Sequence, residues 1–227
     1  DPSKVVAVVG AQSSSIALNI LPSLTELGIP LISYSATSSD LDDKINYPYF
    51  LRTVPSDTQQ SIAIYEIVKL LKASHVSAIN VNNNYGRKGI AKFIEFAEVN
   101  GICVEKSIEL SERDVNKNIL LDTIFAFRKN QARYVIFFGL SSIAIDLLDT
   151  LDTDKDPLVF IASETWGRNV KIIQNGRDIK ARGSITLSVE TSHVASNNFK
   201  AYLESLTPGT DYPKTWFNSF WKSVFQC

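Results

Sequence analysis

The sequence predicts an α/β fold in which helices cover parallel sheets on both faces. Short apolar runs of strand length alternate with helical patterns at least four times along the 227 residues. Several of these runs are apolar throughout, which is typical of strands buried on both faces. Hydrophobic residues make up 44% of the chain and charged residues 21%, as in an ordinary globular protein with a sizeable core.

The first βαβ unit stands near the start of the chain. The apolar run 5–9 predicts a strand. Apolar residues at helical spacing from Ile16 to Leu27 predict a helix that Gly28 ends, and 30–33 predicts the next strand.

The same alternation continues through the rest of the chain. An extended segment covers 49–54, and Asp57 stands where it would cap a helix that runs to Leu71. The later predicted strands are 76–81, 102–110, 134–138, 158–163 and 183–189; the later helices are 87–100, 116–130, one ending near 151, a helix or turn at 166–174, and two aromatic-rich helices near the end.

Charge and motifs exclude several classes of function. Lysine and arginine total 23 against 24 acidic residues, so no excess charge favours nucleic acid or an anionic membrane. The most apolar stretch, 134–148, is interrupted by polar residues and is shorter than the ~20 residues of a membrane span.

We expect neither an enzyme nor a metal or cofactor site. Phosphate-binding, dinucleotide-binding, nucleophile-elbow and metalloprotease motifs do not occur in the sequence. His75 and His193 stand apart from any catalytic grouping, so each is expected to be an ordinary surface or core histidine.

Ligands of open parallel sheets bind outside the carboxyl ends of the strands. That rule selects the loops 10–15, 33–40, 82–86, 139–142 and 163–166.

The first two of these loops are rich in hydroxyl groups. The serines at 13–15 run straight into a helix, so their hydroxyls and free backbone N–H groups would hold a carboxylate at the positive end of the helix dipole. Ser35 and Thr37 add hydroxyls at the same strand edge. The alternative is that the serines only cap the helix.

Acidic and aromatic candidates follow the other strands. Asp57 and Glu164 could accept hydrogen bonds from an ammonium group, or serve as helix caps. Tyr85, expected in a loop, could lay its ring against the same cation. With Ser14, Ser35, Thr37 and Ser141, they form a candidate site for the two charged groups of an α-amino acid.

Seven motifs resemble the ligand-binding ectodomain of class C G-protein-coupled receptors, the group of metabotropic glutamate, calcium-sensing, taste and amino-acid-sensing olfactory receptors. They occur in family order and span nearly the whole chain. They are GAQSSSIA (10–17), PLISYSATSSDLDDK (30–44), YFLRTVPSD (49–57), NNNYGRKGI (82–90), GICVEKS (101–107), ASETW (162–166) and WFNSFWKSVFQC (216–227).

The resemblance implies a bilobed Venus flytrap of the type I periplasmic-binding-protein class. Residues 1–54 would belong to lobe 1, 55–188 would form lobe 2, and 189–227 would return to lobe 1. The chain starts with neither a methionine nor a signal peptide, so we expect a fragment, and the resemblance implies that it lacks the start of lobe 1.

The resemblance also implies roles for individual residues. Ser14 and Thr37, with Ser35 close by, would hold the ligand's α-carboxylate, and Asp57, Tyr85 and Glu164 would surround its α-amino group. Two motifs depart from the glutamate receptors: SETW stands where they have SDGW, and GAQ replaces the commoner GPG.

The two cysteines have two interpretations. From the residues alone, Cys103 and Cys227 are buried free thiols. The resemblance implies instead that each pairs with a cysteine outside this chain, so we expect no bond between them.

The function implied is an extracellular receptor region that binds an L-amino acid or similar small ligand and signals by closure. The protein would lie on the cell surface, dimerise through lobe 1 and act on a G protein through a membrane domain. The dimer contact would use Ile16, Ile20, Leu24 and Leu27, which are alternatively intramolecular core. The alternative function is a periplasmic amino-acid-binding protein of a transporter.

Overall fold

The computed structural model describes residues 4–129, 132–152, 155, 157–167, 169–189, 193–206 and 215–225. Two units are compact by themselves, one over 1–189 and one over 190–227. The first contains both sheets of the described chain.

A small parallel sheet of three strands, in the order β1-β2-β3, begins the first unit. Helix α1 packs on it through Ala17 and Leu21, which are fully buried with Leu31 and Phe50. The elements are β1 (Val8–Val9), α1 (Ser14–Glu26), β2 (Leu31–Ser33), a 3-10 helix (Ser39–Asp42) and β3 (Phe50–Arg52).

A larger parallel sheet of five strands, in the order β5-β4-β6-β7-β8, follows in the same unit. Its strands are β4 (His75–Val81), β5 (Cys103–Leu110), β6 (Tyr134–Phe138), β7 (Val159–Ala162) and β8 (Ile185–Thr186). Its helices are α2 (Asp57–Leu70), α3 (Asn84–Val99), α4 (Lys117–Arg128), α5 (Ser141–Thr150), α6 (Val170–Ile173) and α7 (Arg177–Lys180).

The main hydrophobic core lies on the five-stranded sheet. The aromatic side chains Phe93, Phe127, Phe137, Phe138 and Phe160 are almost fully buried in it. Each contributes on the order of 2 to 3 kcal/mol of burial free energy. Central strands β4 and β6 are buried along nearly their whole length, whereas edge strand β5 exposes four of its eight residues, as expected from their places in the sheet.

The strand order contains a reversal that creates a crevice. From β4 the chain first builds β5 on one side and then β6 on the other. Ligands of doubly wound sheets bind where the order reverses, beyond the carboxyl ends of the two central strands. Here that position lies between the loop after β4, which leads to Tyr85, and the loop after β6, at Gly139.

The second unit consists of α8 (His193–Ser205) and α9 (Thr215–Phe225) in its described part. On α9, Phe217 is buried and contacts the rings of Trp216 and Trp221, with ring centroids 5.8 and 5.7 Å away.

The predicted α/β class is confirmed, and several boundaries differ. The strand expected over 5–9 pairs only at Val8–Val9, and the strand expected over 183–189 only at Ile185–Thr186. The short helix α7 and the 3-10 helix in the polar stretch were not predicted.

Two corrections affect candidate residues. Helix α3 begins at Asn84 rather than 87, so Tyr85 lies in its first turn and packs in the core, not in a loop. Ser56, not Asp57, caps α2: its side chain accepts from the Thr58 N–H, and Asp57 is the first helical residue.

The apolar stripe on α1 is divided between core and solvent. Ile20 and Leu24 pack partly on the small core, whereas Ile16 and Leu27 are each more than half exposed. The fully buried face of the helix is offset from the stripe, at Ala17 and Leu21.

Candidate ligand-binding site

A cavity of about 240 Å³ lies where loops from both sheets meet. It is smaller than the roughly 300 to 1,000 Å³ of sites for drug-sized ligands, so its volume suits only a small molecule. It is lined by Gln12, Ser13, Ser14, Ser35, Thr37, Asn83, Tyr85, Glu112, Leu140, Glu164 and Thr165.

The wall on the side of the small sheet is built from hydroxyl groups and a helix N-terminus. Ser13 is the N-cap of α1, yet its side chain makes no capping hydrogen bond. The first backbone N–H groups of a helix have no partner within the helix, so these donors remain available at its positive end. Ser14 and Thr37 are almost completely buried beside them.

Ser33 holds the two hydroxyl-bearing loops together. Its Oγ donates to the carbonyl of Ala11 at 2.8 Å and accepts from the N–H groups of Ser35 and Ala36 at 3.2 and 2.8 Å. The Ser14 Oγ accepts from the Ser38 N–H at 3.1 Å across the same gap. These bonds set the positions of the hydroxyls before any ligand arrives.

Tyr85 and Glu164 form the wall on the side of the larger sheet. The Tyr85 hydroxyl oxygen lies 2.7 Å from the Ser163 Oγ and 3.1 Å from a Glu164 carboxylate oxygen. Gly86 makes this position of Tyr85 attainable, because a Cβ there would enter the backbone of Val81 at the end of β4.

Asp57 connects the two walls from beneath the cavity. Its backbone N–H donates to the Thr37 carbonyl at 2.8 Å, and its Oδ1 accepts from the Gln60 side-chain amide at 2.8 Å. Gln60 in turn accepts from the Glu164 N–H at 3.1 Å, so one amide links both acidic residues. The Asp57 Oδ2 is buried and has no hydrogen-bond partner within the described chain.

Burial leaves both carboxyl groups short of compensating charge. It raises the pKa of Asp57 to about 8, helped by the neighbouring Glu164 and opposed by Thr37, Arg52 and Gln60. Burial also raises the pKa of Glu164 and places the pKa of Tyr85 well above its ordinary value. A cationic group at this wall would supply the missing charge.

The structure brings most of the predicted site residues together. The candidates that line the cavity are Ser14, Ser35, Thr37, Tyr85 and Glu164. Asp57 lies behind Thr37, outside the lining. Ser141 is not in the lining either; its hydroxyl donates to the carbonyl of the lining residue Thr165 at 2.6 Å.

Sequence reasoning missed other residues of the site. Glu112 follows β5, whose carboxyl end was not among the loops selected, although the strand-end rule applies to it equally. Gln60 carries no such signal, since it lies inside a helix and reaches Glu164 only through the fold. The other lining residues not predicted as ligand contacts are Gln12, Asn83, Leu140 and Thr165, whereas Ser13 is one of the serines expected to hold a carboxylate.

The described residues form no metal-binding group of three or more potential ligands. In the same part of the chain, no helix combines the length and hydropathy required to cross a bilayer.

Cys103 is a free thiol and is exposed, which corrects the expectation that it is buried. Cys227 lies outside the described residues, so the absence of a bond between the two cysteines stays a prediction.

The chain matches a known protein family. A family model described as "Receptor family ligand binding region" matches residues 2–223, almost the complete chain.

Proposed function

Because the chain belongs to the receptor ligand-binding region family, we propose that it is the extracellular ligand-binding region of a class C G-protein-coupled receptor. Its ligand is an L-amino acid or a closely similar zwitterion, held in the cavity between the two sheets. The family membership supports a receptor-type binding domain, and the class C motifs support the finer assignment.

One observation carries the proposal: the two walls of the cavity are chemically opposite. Hydroxyls and the unsatisfied N-terminus of α1 face the cavity from one side, beside Ser14 and Thr37. Tyr85, Glu164 and the underlying Asp57 stand on the other. The first wall suits a carboxylate and the second an ammonium group, so a ligand carrying both contacts both walls.

Binding of this kind favours the closed arrangement. The ligand's two charged groups are attached to one carbon atom, so they are satisfied together only when the walls are close. Contacts away from the cavity act in the same direction, since Asp40 of the 3-10 helix accepts from the Asn84 amide at 2.7 Å and pairs with Lys88 at 2.9 Å.

The remaining parts of the proposal rest on the class C resemblance. Closure would reorient a dimer that uses the exposed Ile16 and Leu27 of α1, and a membrane domain would transmit the change to a G protein. Cys103, exposed on β5, would bond to a further extracellular domain.

Calorimetric titration of the purified full-length protein with a panel of L-amino acids tests the proposal. Thr37→Ala and Asp57→Ala should each weaken binding at least tenfold, because each removes a group from one wall. Asp122→Ala, an exposed carboxylate on α4, is the matched control and should bind normally. Circular dichroism checks that each variant folds. Retention of full affinity by both folded wall variants would refute the site.

A further inference from the structure

The carboxylates at the cavity outnumber its cations. Glu112 and Glu164 are both in the lining, Asp57 lies directly behind it, and no lysine or arginine lines it within the described part of the chain. A single α-ammonium group would be satisfied at the Asp57–Glu164 wall alone, which leaves Glu112 without a counterpart.

Glu112 is exposed to solvent, and two cations at the start of α3 are engaged with other residues. Arg87 forms two hydrogen bonds with Glu109, both at 2.7 Å, and Lys88 pairs with Asp40. Among the described residues, none of the ion pairs includes Glu112. Its charge is therefore open to a group from outside the chain.

The Glu112 carboxylate is held in place at the cavity. The side-chain amide of Asn83 donates to its Oε1, and Asn83 is itself fixed as the N-cap of α3 by accepting from the Gly86 N–H at 2.9 Å. Both residues line the cavity, and Tyr85 follows Asn83 by two positions. The carboxylate is thus attached to the same helix start that positions the tyrosine.

Glu112 and Glu164 enter the cavity from distant strands. Glu112 follows β5 and Glu164 follows β7, and two strands, β4 and β6, separate them in the sheet. Neighbouring strands are ~4.8 Å apart, so these two strands are roughly 14 Å apart. Because Glu112 and Glu164 enter the cavity from strands on opposite sides of β4 and β6, they can contact different parts of one ligand.

We infer that the ligand carries a second positive charge, at the end of an extended side chain, and that Glu112 is the residue that selects it. The inference rests on the proposed function, since it assumes that the α-carboxylate and α-ammonium groups bind at the two walls already described. The preferred ligands are therefore basic amino acids of the length of lysine or arginine. Acidic amino acids would place a second carboxylate beside Glu112 without a cation between them.

The test compares L-lysine with L-norleucine, which has the same chain length without the terminal charge, in calorimetric titrations of the full-length protein. The unaltered protein should bind lysine about fivefold more tightly than norleucine, as expected for one partly exposed ion pair. Glu112→Gln should bring this ratio close to one. Glu98→Gln, which removes an exposed carboxylate of α3 that is not in the cavity lining, is the control and should keep the original ratio.

A charge reversal gives a second, independent readout. Glu112→Lys should favour L-2-aminoadipate over L-lysine, because the side-chain charge it meets is now opposite. If norleucine binds as well as lysine, or if Glu112→Gln preserves the ratio, the inference is overturned while the amino-acid site stands. If the unaltered protein binds no amino acid of the panel, the proposed function fails and this inference fails with it.

Discussion

Replacing Asp57 by Asn should weaken an unusual dependence of stability on pH. Asp57 is fully buried on the first turn of α2, and burial raises the pKa of its carboxyl group to about 8. In the unfolded chain the same group titrates near pH 4. Between these values the folded state binds more protons than the unfolded state, so the free energy of unfolding falls as pH rises.

The raised pKa of Asp57 sets how strongly stability depends on pH. Each pH unit in this window lowers the free energy of unfolding by at most about 1.4 kcal/mol, so the loss between about pH 5 and about pH 8 is on the order of 4 kcal/mol. Asn has nearly the same shape, still accepts from Gln60, and carries no ionisable proton. The Asp57→Asn variant should therefore lose much less stability over this window, with a remaining loss in the same direction from Glu164, whose pKa burial also raises.

Urea unfolding without ligand, at several pH values across the window, measures the difference. Asp122→Asn, an exposed position, is the matched control and should follow the unaltered protein. Parallel curves for Asp57→Asn and the unaltered protein would refute the argument that a buried, ionisable carboxyl group limits stability at neutral pH. So would an increase in the stability of the unaltered protein as pH rises through the window.

Two further substitutions test the contact between the two sheets and the packing of the start of α3. Lys88→Ala removes the ion pair with Asp40 that joins α3 to the 3-10 helix of the small sheet. Because this pair is partly exposed, ligand affinity measured by calorimetric titration should fall at most about fivefold, and less at high salt. Equal affinity at low salt would contradict a role in closure. Gly86→Ala places a Cβ against the backbone of Val81 and should lower the free energy of urea unfolding by about 1 to 3 kcal/mol. Unchanged unfolding would mean that the start of α3 adapts without strain.

Much of the fold follows from local patterns in the chain. The predicted strand at 134–138 matches β6 at both ends, because a short, unbroken apolar run is typical of a strand buried on both faces of a sheet. Tyr85 was assigned to a loop because the preceding asparagines are typical of turns. In the structure Asn83 instead caps a helix, and Gly86 lets that helix start directly against β4.

The candidate site was predictable in its chemistry but not in its full membership. Hydroxyls and acids at strand ends could be selected because parallel strands direct their carboxyl ends to one edge. Ser141 is selected by the same rule but is not in the lining, and its hydroxyl donates to the Thr165 carbonyl. Strand-end position thus identifies a neighbourhood, whereas side-chain direction depends on the hydrogen bonds made there.

Sequence order alone therefore establishes the alternating α/β pattern and the kinds of polar group that the loops carry. The pairing of those groups depends on packing: Gln60 lies 104 residues from Glu164, and Glu112 approaches the cavity from the far side of the sheet. Burial then changes their chemistry, because an Asp57 carboxyl group removed from water keeps its proton to a pH at which it would be ionised in the unfolded chain. The distances between these side chains and the burial of Asp57 do not follow from residues that are neighbours in sequence. Both arise only when the strands assemble into sheets.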